Sequence, residues 1–138
     1  MFERQLELAR AGEASGHARR RIAELPDGRI VGGFNLNAIV RGLEFEADAN
    51  WWVGGEFTGL GLATRGVRAL IRHAFEDLPA GLGLHRIHAG IARDNVASRR
   101  VADKAGFTQR PGLRSYLNVN GEWQAFDAWA ADISTWRA

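Results

Sequence analysis

The feature that most constrains the fold of this chain is a strand pattern that passes through a glycine-rich turn into a long helical pattern. Residues 43–49 alternate apolar and acidic side chains, which is the period of a strand with one wet face. Glycines recur over residues 54–61, and residues 63–78 then carry apolar side chains at helical spacing with arginines opposite. The pattern predicts a strand from Leu43 to Val53 followed by an amphipathic helix, which Pro79 stops.

Three further elements are predicted before this unit: a helix from Phe2 to Gly12, an extended segment from His17 to Leu25 and a strand from Arg29 to Val40. The turn residues Pro26-Asp27-Gly28 are typical of a connection between neighbouring antiparallel strands. The first part of the chain is therefore predicted to be a helix followed by a strand meander.

Four elements are predicted after it: a strand from Leu84 to Ala92, a helix that Asp94 or Asn95 caps and Gly106 ends, and strands from Arg114 to Val119 and from Glu122 to Ile133. The pair Asn120-Gly121 between the last two is a hairpin signal. Hairpin-linked strands followed by a strand–helix–strand unit predict a mixed α/β (α+β) fold, with helices packed on a mixed sheet. We expect one domain over residues 1–138.

Composition excludes several classes of protein. No apolar run approaches the length of a membrane helix, and the N-terminus is charged from Glu3 and Arg4 without an apolar signal core. The chain has no cysteine, and its four histidines show no metal-ligand spacing, so we expect a cytoplasmic protein without a metal. The pI of 9.9 accompanies a net charge of only +2, because nearly all the bases are arginines. Acids and bases are interspersed, which disfavours nucleic acid as a partner.

The glycine loop before the long helix predicts a phosphate site. The first N–H groups of a helix lack intrahelical partners, and Gly59 and Gly61 leave room for a pyrophosphate to approach the backbone. No lysine followed by serine or threonine comes after the glycines, so the loop is not that of a nucleoside triphosphatase. Leu62 stands where a dinucleotide fingerprint has its third glycine. A helix start that needed small residues is the alternative explanation of this loop.

A second group of motifs lies downstream, and the combination resembles a known superfamily. The pieces are Trp52-Val53, Gly59-Leu60-Gly61-Leu62-Ala63-Thr64, Asn95 with Ser98, and Lys104-Ala105-Gly106-Phe107. In this order and spacing, over about residues 28 to 132, the chain resembles the RimJ/RimL-like branch of the GNAT acetyltransferases. The resemblance implies the GNAT acyl-CoA N-acyltransferase fold, a mixed and mostly antiparallel twisted sheet with helices on both faces.

The resemblance also implies a binding site for acetyl-CoA as co-substrate. The backbone of Trp52 and Val53 would pair with the pantetheine arm, as an added strand does with a sheet edge. The loop that would cradle the pyrophosphate consists of Thr58, Gly59, Leu60, Gly61, Leu62 and Ala63. Asn95 would hydrogen-bond the pantetheine, and Ser98 would protonate the departing thiolate. Candidates for the adenosine 3′-phosphate are Arg65, Arg99, Arg100 and Lys104, each of which also fits a solvated helix face.

The implied activity is transfer of an acetyl group from acetyl-CoA to a primary amine by direct attack. The acceptor would be a protein N-terminal amine or a small amine, and the backbone near Trp52 and Val53 would polarise the thioester carbonyl. The proton of the amine needs an acceptor, for which Glu44, Glu46 and Asp48 are candidates by position. Tyr116, the only tyrosine, is a candidate acid. Each of these four is also explained as an ordinary strand residue.

Two departures from the family pattern favour an alternative function. Glu56 stands where the loop of the family has glutamine or arginine, and the family's first strand and helix have no counterpart before Phe2. The alternative is a catalytically weak or inactive acetyl-CoA-binding module that acts through a partner. Trp123, Trp129 and Trp136 fit either a homodimer surface or a buried core.

Overall fold

The computed structural model describes residues 18–42, 44–55 and 61–137 of the 138-residue chain. The elements in chain order are β1 (Arg19–Glu24), β2 (Ile30–Val40), β3 (Glu46–Val53), α1 (Leu62–Phe75), β4 (Arg86–Ala92), α2 (Val96–Ala105), β5 (Thr108–Val119) and β6 (Glu122–Asp132). The expected helix from Phe2 to Gly12 lies outside the described residues. The remaining elements follow the predicted order of strands and helices.

All six strands form one sheet in the order β1-β2-β3-β4-β6-β5. Four of the five neighbouring pairs are antiparallel, and only β3 and β4, which α1 connects, run parallel. For strands that are consecutive in the chain this arrangement follows from the sequence pattern, because short turns join antiparallel neighbours and a parallel pair needs a long crossover. The pairing of β4 with β6, which are not consecutive, is a finding of the structure. The predicted mixed, mostly antiparallel sheet is confirmed.

Both described helices contribute to one buried cluster against the sheet. The apolar stripe of α1 consists of Val67, Leu70, Ile71, Ala74 and Phe75. These side chains meet fully buried strand residues such as Leu36 on β2 and Ile87 on β4. The shorter helix α2 buries Ala102 and Ala105, whose small side chains let it lie close to α1. Burial of these apolar faces is the main stabilising contribution to the fold.

Trp136 ties the C-terminal segment to both helices. Its indole Nε1 donates a hydrogen bond to the Ala105 carbonyl at 2.8 Å, at the end of α2. The same ring contacts Phe75 edge-on at 6.0 Å and lies under the Arg68 guanidinium at 5.4 Å. Gly106 ends α2 with a φ of 103°, a left-handed conformation that favours glycine, so the predicted helix end is confirmed.

Most strands begin within two residues of the predicted start, but β3 and β5 differ by more. β3 begins at Glu46, so Glu44 precedes the strand, and Leu43 lies outside the described residues. β5 begins at Thr108 instead of Arg114 and runs through Pro111 and Gly112 with two shifts of register. A proline and a glycine usually interrupt a strand. An edge strand tolerates both, because one side of its backbone makes no ladder hydrogen bonds.

Candidate active site

The two parallel strands at the centre of the sheet separate partway along their length. β3 and β4 pair only at Glu46↔Arg86, Ala47↔Ile87 and Asp48↔His88. Beyond Asp48, the described residues of β3 have no partner in β4. A cavity of about 140 Å³ lies at this opening, with Asn50, Asn95, Ser98 and Phe126 among the residues that line it. We call it the splay cavity. A strand edge without a partner leaves backbone groups available to an extended ligand.

A larger cavity of about 400 Å³ lies beside the first turn of α1. Its walls come from the end of β3, the start of α1 and one side of α2. We call it the helix-end cavity. Trp51 and Ser98 line both cavities, so the two spaces meet at these residues.

The start of α1 presents unpaired backbone donors to the helix-end cavity. Gly61 is the N-cap residue, with a φ of 73°, and no side chain in the described ranges caps this helix. The N–H groups of Leu62, Ala63 and Thr64 therefore lack intrahelical partners, and these residues line the cavity. Together with the positive end of the helix dipole, they form an environment that favours an anion. Thr58, Gly59, Leu60 and Glu56 lie outside the described residues.

The start of α2 holds the other two predicted ligand residues. Asn95 is the N-cap, and its side chain accepts a hydrogen bond from the Ser98 backbone N–H at 3.2 Å. The Asn95 side-chain carbonyl is thus occupied, which leaves its amide N–H groups for a ligand. The Ser98 hydroxyl makes no hydrogen bond within the described part of the chain. Of the two caps that the sequence left open, Asp94 and Asn95, the structure selects Asn95.

The four basic candidates divide into two pairs. Arg100 and Lys104 line the helix-end cavity. Arg99 instead donates to the Arg93 carbonyl at 2.8 Å and to the Gln109 side chain at 3.5 Å. Neither Arg99 nor Arg65 belongs to the described wall of the cavity. The structure therefore brings two cations, not four, to the predicted phosphate end.

The predicted proton acceptors do not line the cavities. Glu44 is exposed ahead of β3. Glu46 lies in the paired part of β3, where its carboxylate is 3.2 Å from the His88 Nε2 and 3.7 Å from the Arg86 guanidinium. Asp48 is the last paired residue before the opening. No aspartate or glutamate is among the described residues that line the two cavities.

Of the other predicted site residues, Trp52 and Val53 lie at a cavity, whereas the side chain of Tyr116 is not described. Trp52 and Val53 line the helix-end cavity and pair with Gly33 and Gly32 of β2. The Trp52 indole lies directly over Gly33, where a side chain would collide with the ring. Tyr116 pairs with Ala125 in the sheet, and the position of its side chain is outside what the structure describes.

Sequence reasoning missed a buried ion pair behind the splay cavity. Asp127 on β6 is 3% exposed, and the Arg93 guanidinium contacts its carboxylate at 2.7 Å. This hydrogen bond lowers the pKa of Asp127 although burial opposes the shift. An aspartate inside the apolar run from Ala125 to Ala131 was the signal that could have revealed it.

Two kinds of feature are absent from the described residues. No group of three or more histidines, aspartates or glutamates there is arranged to hold a metal ion. No helix within the same ranges has the length and apolar character needed to span a membrane.

Comparisons with known proteins agree with the fold and identify a family. The model of the acetyltransferase (GNAT) domain matches residues 1–108. The chain is 35% identical over 98 residues to the Bacillus subtilis protein "Probable N-acetyltransferase YjcK", which covers 71% of this chain and 52% of that protein. The chain thus spans about half the length of the curated relatives that it matches.

Solved structures show the same architecture. RimJ of Mycobacterium smegmatis, in complex with CoA-disulfide, superposes with a TM-score of 0.82 at 26% identity, over 96% of this chain and 61% of that one. The ribosomal-protein-S5-alanine acetyltransferase from Vibrio fischeri superposes with a TM-score of 0.85 over 99% of this chain and 73% of that one. Its 21% identity supports a shared fold alone. On the match to the domain and to the curated relatives, the chain belongs to the GNAT acetyltransferase family.

Proposed function

We propose that the chain binds acetyl-CoA across the two cavities and transfers the acetyl group to a primary amine. The observation that carries the proposal is the junction at Ser98, where the splay cavity meets the helix-end cavity. An extended ligand with a phosphate-rich end and a reactive end fits a site of this shape. Acetyl-CoA supplies an activated acyl thioester at the reactive end.

The residues present are suited to the parts of this ligand. Free N–H groups of Leu62, Ala63 and Thr64 offer donors to a pyrophosphate. Arg100 and Lys104 offer positive charge to a 3′-phosphate. The β3 edge beyond Asp48 offers backbone groups to the amide-containing pantetheine arm. Thr58, Gly59 and Leu60 remain predicted members of the phosphate loop.

Ser98 is the proposed proton donor to the departing thiolate. Its hydroxyl is half-buried at the cavity junction and is not engaged by the described residues. The cap that Asn95 makes to the Ser98 N–H fixes the position of the Ser98 backbone. N–H groups on the β3 edge would polarise the thioester carbonyl, because donors placed before the reaction stabilise the charge that develops on the oxygen.

The acceptor that we propose is a protein N-terminal amine or a small amine. The first follows from the RimJ/RimL-like motifs and the likeness to the RimJ structure. A cationic small amine was suggested by the acids on and before β3. That suggestion is weakened by Glu46, whose charge is already paired with Arg86 and with His88 when that imidazole is protonated. A neutral amine must form before attack, so turnover should rise with pH.

The first test compares thermal unfolding with and without acetyl-CoA. CoA serves as a second ligand expected to bind, and NAD and ATP serve as negative controls. Ligand at about 100 times its Kd stabilises the fold by roughly 2.7 kcal/mol. For a chain of this size the expected rise in Tm is about 5–10 °C. A rise with acetyl-CoA and CoA alone supports the site, and an unchanged Tm contradicts it.

The second candidate function is an acetyl-CoA-binding module with little or no turnover, which acts through a partner. The observation that favours it is the lack of a carboxylate among the described residues that line the two cavities. Thiol release from acetyl-CoA distinguishes the two functions, with spermidine and an alanine-initiated peptide as acceptors. Release that depends on the acceptor identifies an enzyme. Saturable binding without release identifies the module.

A further inference from the structure

The ion pair between Asp127 and Arg93 lies outside both cavities, yet it adjoins the turn that leads into α2. We propose that it is a positioning pair, which holds Asn95 and Ser98 in place for the pantetheine end of the ligand. The inference rests on the proposed function, because it assigns a role within the same site. It adds two residues that no sequence motif of the site includes.

The pair has the geometry of a fixed contact. Arg93 Nη2 lies 2.7 Å from one carboxylate oxygen of Asp127, and Arg93 Nε lies 3.3 Å from both oxygens. The Asp127 side chain is 4% exposed whereas that of Arg93 is 58% exposed, so the guanidinium covers the carboxylate from outside. A planar guanidinium that contacts a carboxylate through two nitrogens restricts both distance and orientation.

The backbone of Arg93 is held as well as its side chain. Its N–H donates to the Ala125 carbonyl of β6 at 2.9 Å. Its carbonyl accepts from the Arg99 guanidinium at 2.8 Å, one turn into α2. The neighbouring residue Ala92 pairs with Phe126, which lines the splay cavity. The segment that leaves β4 is therefore fastened to β6 and to α2 at once.

The fastened segment leads directly to the predicted ligand residues. Asn95 follows Arg93 by two positions, its N–H bonds to the Ala92 carbonyl at 2.9 Å, and its side chain caps Ser98. The far end of α2 has a separate anchor, the Trp136 hydrogen bond to Ala105. Among the described residues, no hydrogen bond or salt bridge joins the first turn of α1 to Arg93 or Asp127. Loss of the pair should therefore displace the pantetheine end of the site and spare the phosphate end.

Binding of two ligands measures this difference. Acetyl-CoA spans the whole site, whereas 3′-phospho-ADP is coenzyme A without the pantetheine arm. Kd values for both are measured by calorimetry on the wild type, on Asp127→Asn and on Asp132→Asn. The last is a matched control, since Asp132 also lies on β6 and binds two arginines, Arg86 and Arg110, away from the α2 turn.

The expected result is a selective change in Asp127→Asn. Its Kd for acetyl-CoA rises by at least about fivefold while its Kd for 3′-phospho-ADP stays within about twofold. Asp132→Asn changes neither. If Asp127→Asn does not fold, Arg93→Lys is used instead. Lysine keeps the positive charge beside Asp127 but lacks the planar guanidinium that contacts the carboxylate through two nitrogens. A smaller change of the same selectivity is then expected.

Three outcomes would overturn the inference, and they are distinguishable. Unchanged acetyl-CoA affinity in Asp127→Asn or, where that protein is unfolded, in Arg93→Lys removes the positioning role and leaves the proposed function intact. Equal weakening for both ligands means that the pair only stabilises the fold. A wild type that binds neither ligand removes the proposed function together with the inference.

Discussion

The Asn95 side chain accepts a hydrogen bond from the Ser98 backbone N–H at 3.2 Å, at the first turn of α2. The amide cap thus has a structural task, in addition to the contact with pantetheine that the sequence motif implies. Substitution can separate the two, because serine also caps helices well but lacks the amide group.

Asn95→Ala should therefore lose both the helix cap and the contact with pantetheine, whereas Asn95→Ser should lose only the contact. Loss of an N-cap costs about 1 kcal/mol, which lowers the Tm of a domain of this size by about 2–4 °C. We expect this decrease in Asn95→Ala and little change in Asn95→Ser, measured by thermal unfolding without ligand. Both should bind acetyl-CoA more weakly. Wild-type affinity in Asn95→Ser would mean that the amide does not contact the ligand.

Ser98→Ala should lower kcat and leave the Kd for acetyl-CoA within about twofold. A general acid contributes about 10² to 10⁴ in rate, so a loss of at least tenfold is expected when the hydroxyl protonates the thiolate. Single-turnover thiol release at saturating acetyl-CoA measures the chemical step, and calorimetry checks that binding is retained. Equal rates in the wild type and the variant would remove Ser98 from the chemistry.

Gly61 tests the phosphate end through a matched pair of substitutions. Its φ of 73° is left-handed, and a Cβ there would meet no atom of the described residues within 4 Å, so aspartate and asparagine, which have the same shape, fit equally well. They differ only in charge. Gly61→Asp should abolish measurable binding of CoA because its carboxylate repels phosphate, whereas Gly61→Asn should retain binding within about tenfold. Equal affinities in calorimetry would place the phosphates elsewhere.

His73 gives the fold a defined dependence on pH. Burial lowers the pKa of His73, and the charges of Arg21 and Arg19 lower it further below its usual value of 6.5. As pH falls through 6.5, the unfolded chain takes up this proton first, so the free energy of unfolding decreases. His73→Gln should lose less stability than the wild type between about pH 7 and pH 5 in urea titrations.

The matched control for that experiment is His85→Gln. The His85 ring is exposed and packs against Phe45 in a tilted arrangement, with 4.8 Å between the ring centroids. This variant should keep the acid sensitivity of the wild type. Identical pH profiles for all three proteins would show that His73 does not titrate differently in the folded state.

Local patterns predicted the elements of this fold because each had its own physical signal. The glycine at position 106 ends α2, the Asn120-Gly121 pair lies between β5 and β6, and the apolar stripe of α1 faces the core. The start of β5 was missed, since Pro111 and Gly112 break most strands but are tolerated at a sheet edge. Whether a strand lies at an edge depends on the whole sheet.

The candidate site likewise has features that local sequence predicts and features that depend on the whole sheet. Gly61 and Asn95 were predicted because a loop or cap acts over a few residues. The separation of β3 from β4 was not derivable from periodicity, since a period of two assigns residues to the faces of a strand but does not identify the partner strand. Arg93 and Asp127 are 34 residues apart, and only the order of strands in the sheet brings them together.

The three residue pairs that join β3 to β4 are also the only strand pairing between two halves of the described sheet. On one side lie β1, β2 and β3, and on the other β4, β6 and β5. Within the described sheet, the two halves are joined only by these three pairs, and α1 and the shared core connect them on one face. An extended ligand bound between the unpaired parts of β3 and β4 would add backbone hydrogen bonds there. Its binding should therefore make the two halves of the sheet move as one rigid unit.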